Sequence, residues 1–135
     1  MYLKHLSCSL FILFVLANSF AQTYQSAESV AYDPSQNRFL ISNGNNILAR
    51  ASDGTLSFFG NGSSSHGLDV LGDHVFGLSG NVLRGYNLVT EEEVMSITLT
   101  GAAFMNGRTS DGVENLYAAD FSSQTIYKKD RQTLG

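Results

Sequence analysis

Three stretches of the chain carry the same two-part pattern: Glu28–Pro34 (ESVAYDP) with Arg38–Ser42 (RFLIS), His66–Val70 (HGLDV) with His74–Leu78 (HVFGL), and Asn106–Asp111 (NGRTSD) with Asn115–Asp120 (NLYAAD). In each, a polar residue opens one short run, and a second run of mainly apolar residues follows a break. From Glu28 to His66 is 38 residues and from His66 to Asn106 is 40. Evenly spaced hairpins of an ordinary sandwich give no reason for the same order of sub-motifs to return. A period near forty with about four strands per unit is the mark of propeller blades.

Working outward from those phrases, short runs rich in β-branched and aromatic residues recur after Gln22, and none keeps the apolar spacing of a helix. Strands are predicted at 29–32, 38–42, 46–50 and 55–59, then at 68–71, 74–78, 82–87 and 93–99, then at 115–119 and 125–129. Between them lie Asn43-Gly44-Asn45, Asp53-Gly54, Gly72-Asp73, Ser79-Gly80-Asn81 and Asp111-Gly112, residues that reach the positive φ of tight turns. The expected fold is therefore all-β, a partial β-propeller of about three four-stranded blades. Propellers close with four to eight blades, and the third unit stops short of a fourth strand. Residues 22–135 are accordingly read as the N-terminal blades of a larger propeller.

Residues 1–21 have a different character. Lys4 precedes an apolar stretch from Leu6 to Ala17, and Ser19 and Ala21 supply the small residues that signal peptidase accepts, so cleavage is expected between Ala21 and Gln22. The apolar run is shorter than the roughly 20 residues that span a bilayer, and no membrane anchor is expected after cleavage. The sequence thus directs the protein to a secreted or periplasmic location. Cys8, the only cysteine, lies in the segment to be removed, which excludes disulfide and thiol chemistry from the remainder. That remainder holds seven Lys and Arg against twelve Asp and Glu with no basic run beyond Lys128-Lys129, which argues against a nucleic-acid partner.

The first strand of a propeller blade lines the central channel, so residues opening that strand in successive blades converge at one mouth. Here they are Glu28, His66 and Asn106. Carboxylate, imidazole and amide oxygen suit a divalent metal or a polar small-molecule substrate. Each also has a plainer reading: Glu28 as a solvated loop residue, His66 as a cap on the turn at Ser63–Ser65, Asn106 with Gly107 as a tight turn. Asp33, Asp69 and Asp120 read as turn formers, and Glu91-Glu92-Glu93 as a solvated hairpin end.

The phrases Glu28–Pro34, Ser65–Val70 and Gly101–Asn106 through Asn115–Tyr117 resemble the senescence marker protein/gluconolactonase family, the regucalcin-like propellers, over nearly all of the chain after residue 21. The resemblance implies a six-bladed propeller that holds a divalent cation, calcium or zinc, in its channel and hydrolyses sugar lactones. Glu28 matches the family's N-terminal metal-binding glutamate and Asn106 an asparagine on the substrate side, while the family's other metal ligands belong to later blades. The chain departs from the pattern at Gly107 and Arg108, where aspartate and an aliphatic residue are usual. Arg108 occupies the repeat position of Val30 and Leu68, so it is expected either to turn out of the core or to be paired. Two functions follow as expectations: a metal-dependent lactonase-like propeller, or a non-catalytic propeller of NHL type that binds a ligand or protein at its channel face.

Overall fold

A computed structural model describes residues 23–130. The expected signal peptide and Cys8 lie outside the described residues. Eleven strands follow in order: β1 (Ala27–Asp33), β2 (Arg38–Asn43), β3 (Asn46–Ala51), β4 (Leu56–Phe58), β5 (Leu68–Leu71), β6 (His74–Ser79), β7 (Val82–Asn87), β8 (Glu93–Thr98), β9 (Met105–Ser110), β10 (Asn115–Asp120) and β11 (Thr125–Asp130). They form three antiparallel sheets with sequential neighbours, β1-β2-β3-β4, β5-β6-β7-β8 and β9-β10-β11. The sheets meet along their first strands, β1 against β5 and β5 against β9. This is an all-β, partial β-propeller.

Side-chain alternation explains why each sheet has two usable faces. In the first sheet Leu40, Ile47 and Ala49 turn toward Leu68, Val75 and Tyr86 of the second and form one core with Phe59 and Leu88. In the second, Phe76, Leu78, Leu83 and Met95 turn the other way and meet Met105, Leu116 and Ala118 of the third. The middle sheet is thus apolar on both faces, as a blade between two blades must be. Gly44 and Gly80, at φ of 66° and 62°, close the β2–β3 and β6–β7 hairpins in a conformation that a side chain disfavours.

A polar clamp reinforces the first interface. Arg38 donates from Nε to Asp33 at 2.9 Å, from Nη1 to Glu91 at 2.6 Å and from Nη2 to the Leu88 carbonyl at 2.7 Å, and it lies 5.0 Å above the Phe59 ring. Asp33 has no solvent exposure, and Ser35 also donates to it through its backbone and hydroxyl. Glu91 holds the Gly60 N–H at 2.8 Å as well.

Several expectations are corrected. The strand β9 was not among those predicted at 115–119 and 125–129, because its residues MNGRTS offer no apolar alternation. Glu91 is a cross-sheet partner rather than a solvated residue, and Glu93 pairs with Arg84 at 2.7 Å. Asp69 lies within β5 opposite Phe76, so it is no turn former. Asp33 and Asp120 do pin turns: Asp120, nearly buried, accepts the backbone N–H groups of Ala103, Phe104, Ser122 and Ser123 at 2.6 to 3.1 Å.

Candidate channel-mouth site

Glu28, His66 and Asn106 sit where each first strand begins to pair, and each sits at an irregularity. In β1 the register passes from Ala27 opposite Asn43 to Ser29 opposite Ser42, which leaves Glu28 as an extra residue. In β9 it passes from Met105 opposite Asp120 to Gly107 opposite Ala119, which leaves Asn106 extra in the same way. Just ahead of β5, the Leu78 carbonyl accepts from both Ser65 N–H, at 2.9 Å, and His66 N–H, at 3.3 Å, so two residues again face one. A bulge bends its strand and re-aims the side chain it carries. Two bulges, in β1 and β9, and a doubly used carbonyl just ahead of β5 fall at one repeat position, and periodicity in the sequence gives no sign of them.

Neighbouring contacts tie these openings together. The Leu68 N–H donates to the Ser29 hydroxyl at 3.0 Å, joining the residue after Glu28 to β5. Gly67 lies so close to β9 that a methyl group there would stand 2.8 Å from Arg108 Cβ and 3.4 Å from the Asn106 carbonyl oxygen. Glu28 and Asn106 are exposed. The tight-turn reading of Asn106-Gly107 does not hold, since both lie in β9. His66 is half-buried; its Nδ1 is 2.8 Å from the Ser65 hydroxyl, and its ring meets Phe104 edge-on at 5.2 Å. The imidazole therefore bridges the second and third sheets and also touches the serine turn. Among the described residues no three His, Cys, Asp or Glu side chains group as metal ligands.

Arg108 takes neither of the two courses expected of it. Its side chain turns inward from β9, and Nε, Nη1 and Nη2 are all buried without a hydrogen-bond partner. The guanidinium rests over the Phe76 ring at 5.1 Å. Burial pulls its pKa well below the usual guanidinium value, to about 9, against the opposing pull of the Asp69 charge. On the far face of the same sheet, Gly107, Thr109, Tyr117, Ala119 and Ile126 surround a shallow apolar depression of about 270 Å³. Val30, at the equivalent repeat position in β1, is 62% exposed rather than in the core.

These features define an open array of propeller-type sheets. No family model matches the chain, and no curated protein does. Among solved structures, a chain of the complex of a variant S. cerevisiae Dbp5 bound to Nup159, a variant Gle1, IP6 and ADP is similar at 15% identity with a TM-score of 0.49, over 80% of this chain and 34% of that one. The N-terminal domain of Nup159 is similar at 16% identity with a TM-score of 0.42, over 81% of this chain and 35% of that one. The chain thus spans about a third of the structures it resembles.

Proposed function

We propose that this chain is an exported propeller element whose channel mouth, formed by Glu28, His66 and Asn106, binds a small polar ligand of the sugar-lactone or sugar-acid class. The observation that carries the reading is the pair of bulges at Glu28 and Asn106 together with the Leu78 carbonyl shared by Ser65 and His66. Three polar residues, 38 and 40 apart in sequence, occupy equivalent openings of adjacent first strands. An exposed carboxylate, an imidazole set by Ser65 and Phe104, and an exposed amide offer acceptors and donors suited to hydroxyl groups. The sequence resemblance to gluconolactonase-type propellers supports the ligand class. In that family a bound calcium or zinc ion supplies the chemistry of lactone hydrolysis, and here further donors would be required. Binding without turnover is therefore the expected behaviour of this chain alone.

Calorimetric titration of the purified protein with gluconolactone and gluconate, with and without calcium or zinc, tests the reading. Saturable binding that weakens at least about tenfold in Glu28→Gln and in Asn106→Ala is expected, a loss of about 1.4 kcal/mol for each polar contact removed. Unchanged binding in both variants, or no binding under any condition, refutes it. Rapid metal-dependent hydrolysis abolished by Glu28→Gln would move the protein to the enzyme class.

A further inference from the structure

Two phenylalanines beside the mouth belong to neither apolar core. Phe104 is 41% exposed and Phe121 75%. Their rings meet edge-on at 6.4 Å, and Phe104 meets the His66 ring in the same way at 5.2 Å. The three rings form one continuous series that starts at a mouth residue.

The backbone beneath this series is fixed. Phe104 immediately precedes β9, and Phe121 immediately follows β10. The Asp120 carboxylate accepts the N–H groups of Ala103 and Phe104 on one side and of Ser122 and Ser123 on the other, and the Phe121 N–H donates to the Phe104 carbonyl at 2.9 Å. The first sheet builds the same arrangement with other side chains. Asn43, 77 residues before Asp120, accepts the N–H groups of Gln25 and Ser26 at 2.7 and 3.1 Å, and the Gly44 N–H donates to the Ser26 carbonyl at 3.0 Å. Ser26 thus holds the place of Phe104, and Gly44 that of Phe121. In the second sheet Gly80 follows β6 as Phe121 follows β10. The scaffold is complete with serine and glycine, so the two rings meet no requirement of the fold. Apolar side chains held in water at a fixed spacing, next to a polar opening, suit a ligand that has an apolar face of its own.

We infer that Phe104 and Phe121 form a stacking subsite continuous with the mouth, and that the ligand carries a pyranose ring beyond the sugar-acid unit assigned to Glu28, His66 and Asn106. A pyranose has the two-sided character the site offers. The C–H groups of its ring face lie against the electron-rich face of an aromatic ring, while the hydroxyl groups at its rim stay in water or reach polar neighbours. A ligand of one sugar-acid unit would leave Phe121 uncovered. The inference rests on the ligand reading of the mouth and extends it from one unit to two.

Calorimetric titration of the purified protein with gluconate and with lactobionate, which is gluconate bearing one galactopyranose ring, separates the two units. Lactobionate should bind about tenfold tighter. That ratio should fall to near unity in Phe121→Ser and persist in Phe121→Tyr, with the same far-ultraviolet circular dichroism in all three proteins. Equal affinities for the two compounds in the wild type, or a ratio that survives Phe121→Ser, would overturn the subsite and leave the mouth reading in place. Binding of neither compound would overturn the mouth reading and this inference together. A mass in light scattering that rises with concentration in the wild type but not in Phe121→Ser, with a ratio near unity in both, would assign the rings to contact with a second protein chain instead.

Discussion

Replacing Arg108 by methionine should stabilise the protein, although it deletes a charge that a strand would ordinarily tolerate. At pH 7 the guanidinium is charged in the folded and the unfolded chain alike. The drop from the usual guanidinium value to about 9 therefore corresponds to what burial costs the fold. At about 1.36 kcal/mol per pH unit that is on the order of 5 kcal/mol. Methionine fills a similar volume and gives up only the contact over Phe76, 5.1 Å from the ring centroid, which contributes about 1–2 kcal/mol when desolvated. A net gain of roughly 3–4 kcal/mol is expected, in line with other replacements of buried ionic groups by apolar ones. Urea unfolding of wild type and Arg108→Met at one fixed protein concentration measures it. The sign carries a second check. Because the folded value is the lower one, the penalty is complete below about pH 9 and shrinks as pH rises from there toward the usual guanidinium value. The gap between the two proteins should therefore narrow above pH 9. A variant that unfolds at lower urea with an unchanged m-value would refute the reasoning, because it would mean that the guanidinium is satisfied in the native protein.

Two further substitutions probe the polar anchors. Arg38→Ala strands Asp33, which has no exposure, and releases Glu91 and the Leu88 carbonyl; a loss of about 3–5 kcal/mol is expected in urea unfolding. Arg38→Lys should recover little of it, since one ammonium cannot hold the fork of three acceptors. At Asp120 burial opposes the charge, yet the backbone donors of Ala103, Ser123, Phe104 and Ser122 prevail and bring its pKa to about 2 from 3.8. Its stabilisation is present above pH 3.8 and lost as pH falls through about 2, so the acid limb of the stability curve should flatten in Asp120→Asn. Equal acid limbs in the two proteins would contradict that assignment.

The repeat made most of the architecture legible. Strands from Arg38, Asn46, Leu68, His74 and Val82 begin where alternation and turn residues place them, because those segments bury one face in an interface and expose the glycine or asparagine at the turn. β9 escaped that reading: Met105-Asn106-Gly107-Arg108 lacks apolar alternation, and its pairing comes from the β10 backbone and from Met105 in the core. The candidate site was half legible. Period placed Glu28, His66 and Asn106 on equivalent openings, but a bulge is a property of two strands in register and leaves no mark on either one alone. The clamp on Arg38 was hidden for a related reason, since its partners Leu88 and Glu91 lie 50 and 53 residues away.

The unsatisfied guanidinium and the mouth are connected through β9. Arg108 stands two residues from Asn106 on the strand that holds the third sheet against the second, and Gly67 leaves just enough room for its Cβ. Burial of Leu116, Met105 and Ala118 fastens that sheet, while the buried charge of Arg108 works against the same contact. The first interface is fixed in addition by the three bonds of Arg38. The second interface is therefore the weaker one, and local opening should begin there. Amides of β9 and β10 should exchange faster than those of β2 and β3, and Arg108→Met should slow the former selectively. Of the three mouth residues, Asn106 would then be the one whose position depends on the state of an interface, so a ligand bridging Glu28 and Asn106 would protect β9 by holding that interface closed. Exchange in β9 that is indifferent both to the substitution and to ligand would separate the mouth from the packing and remove this link.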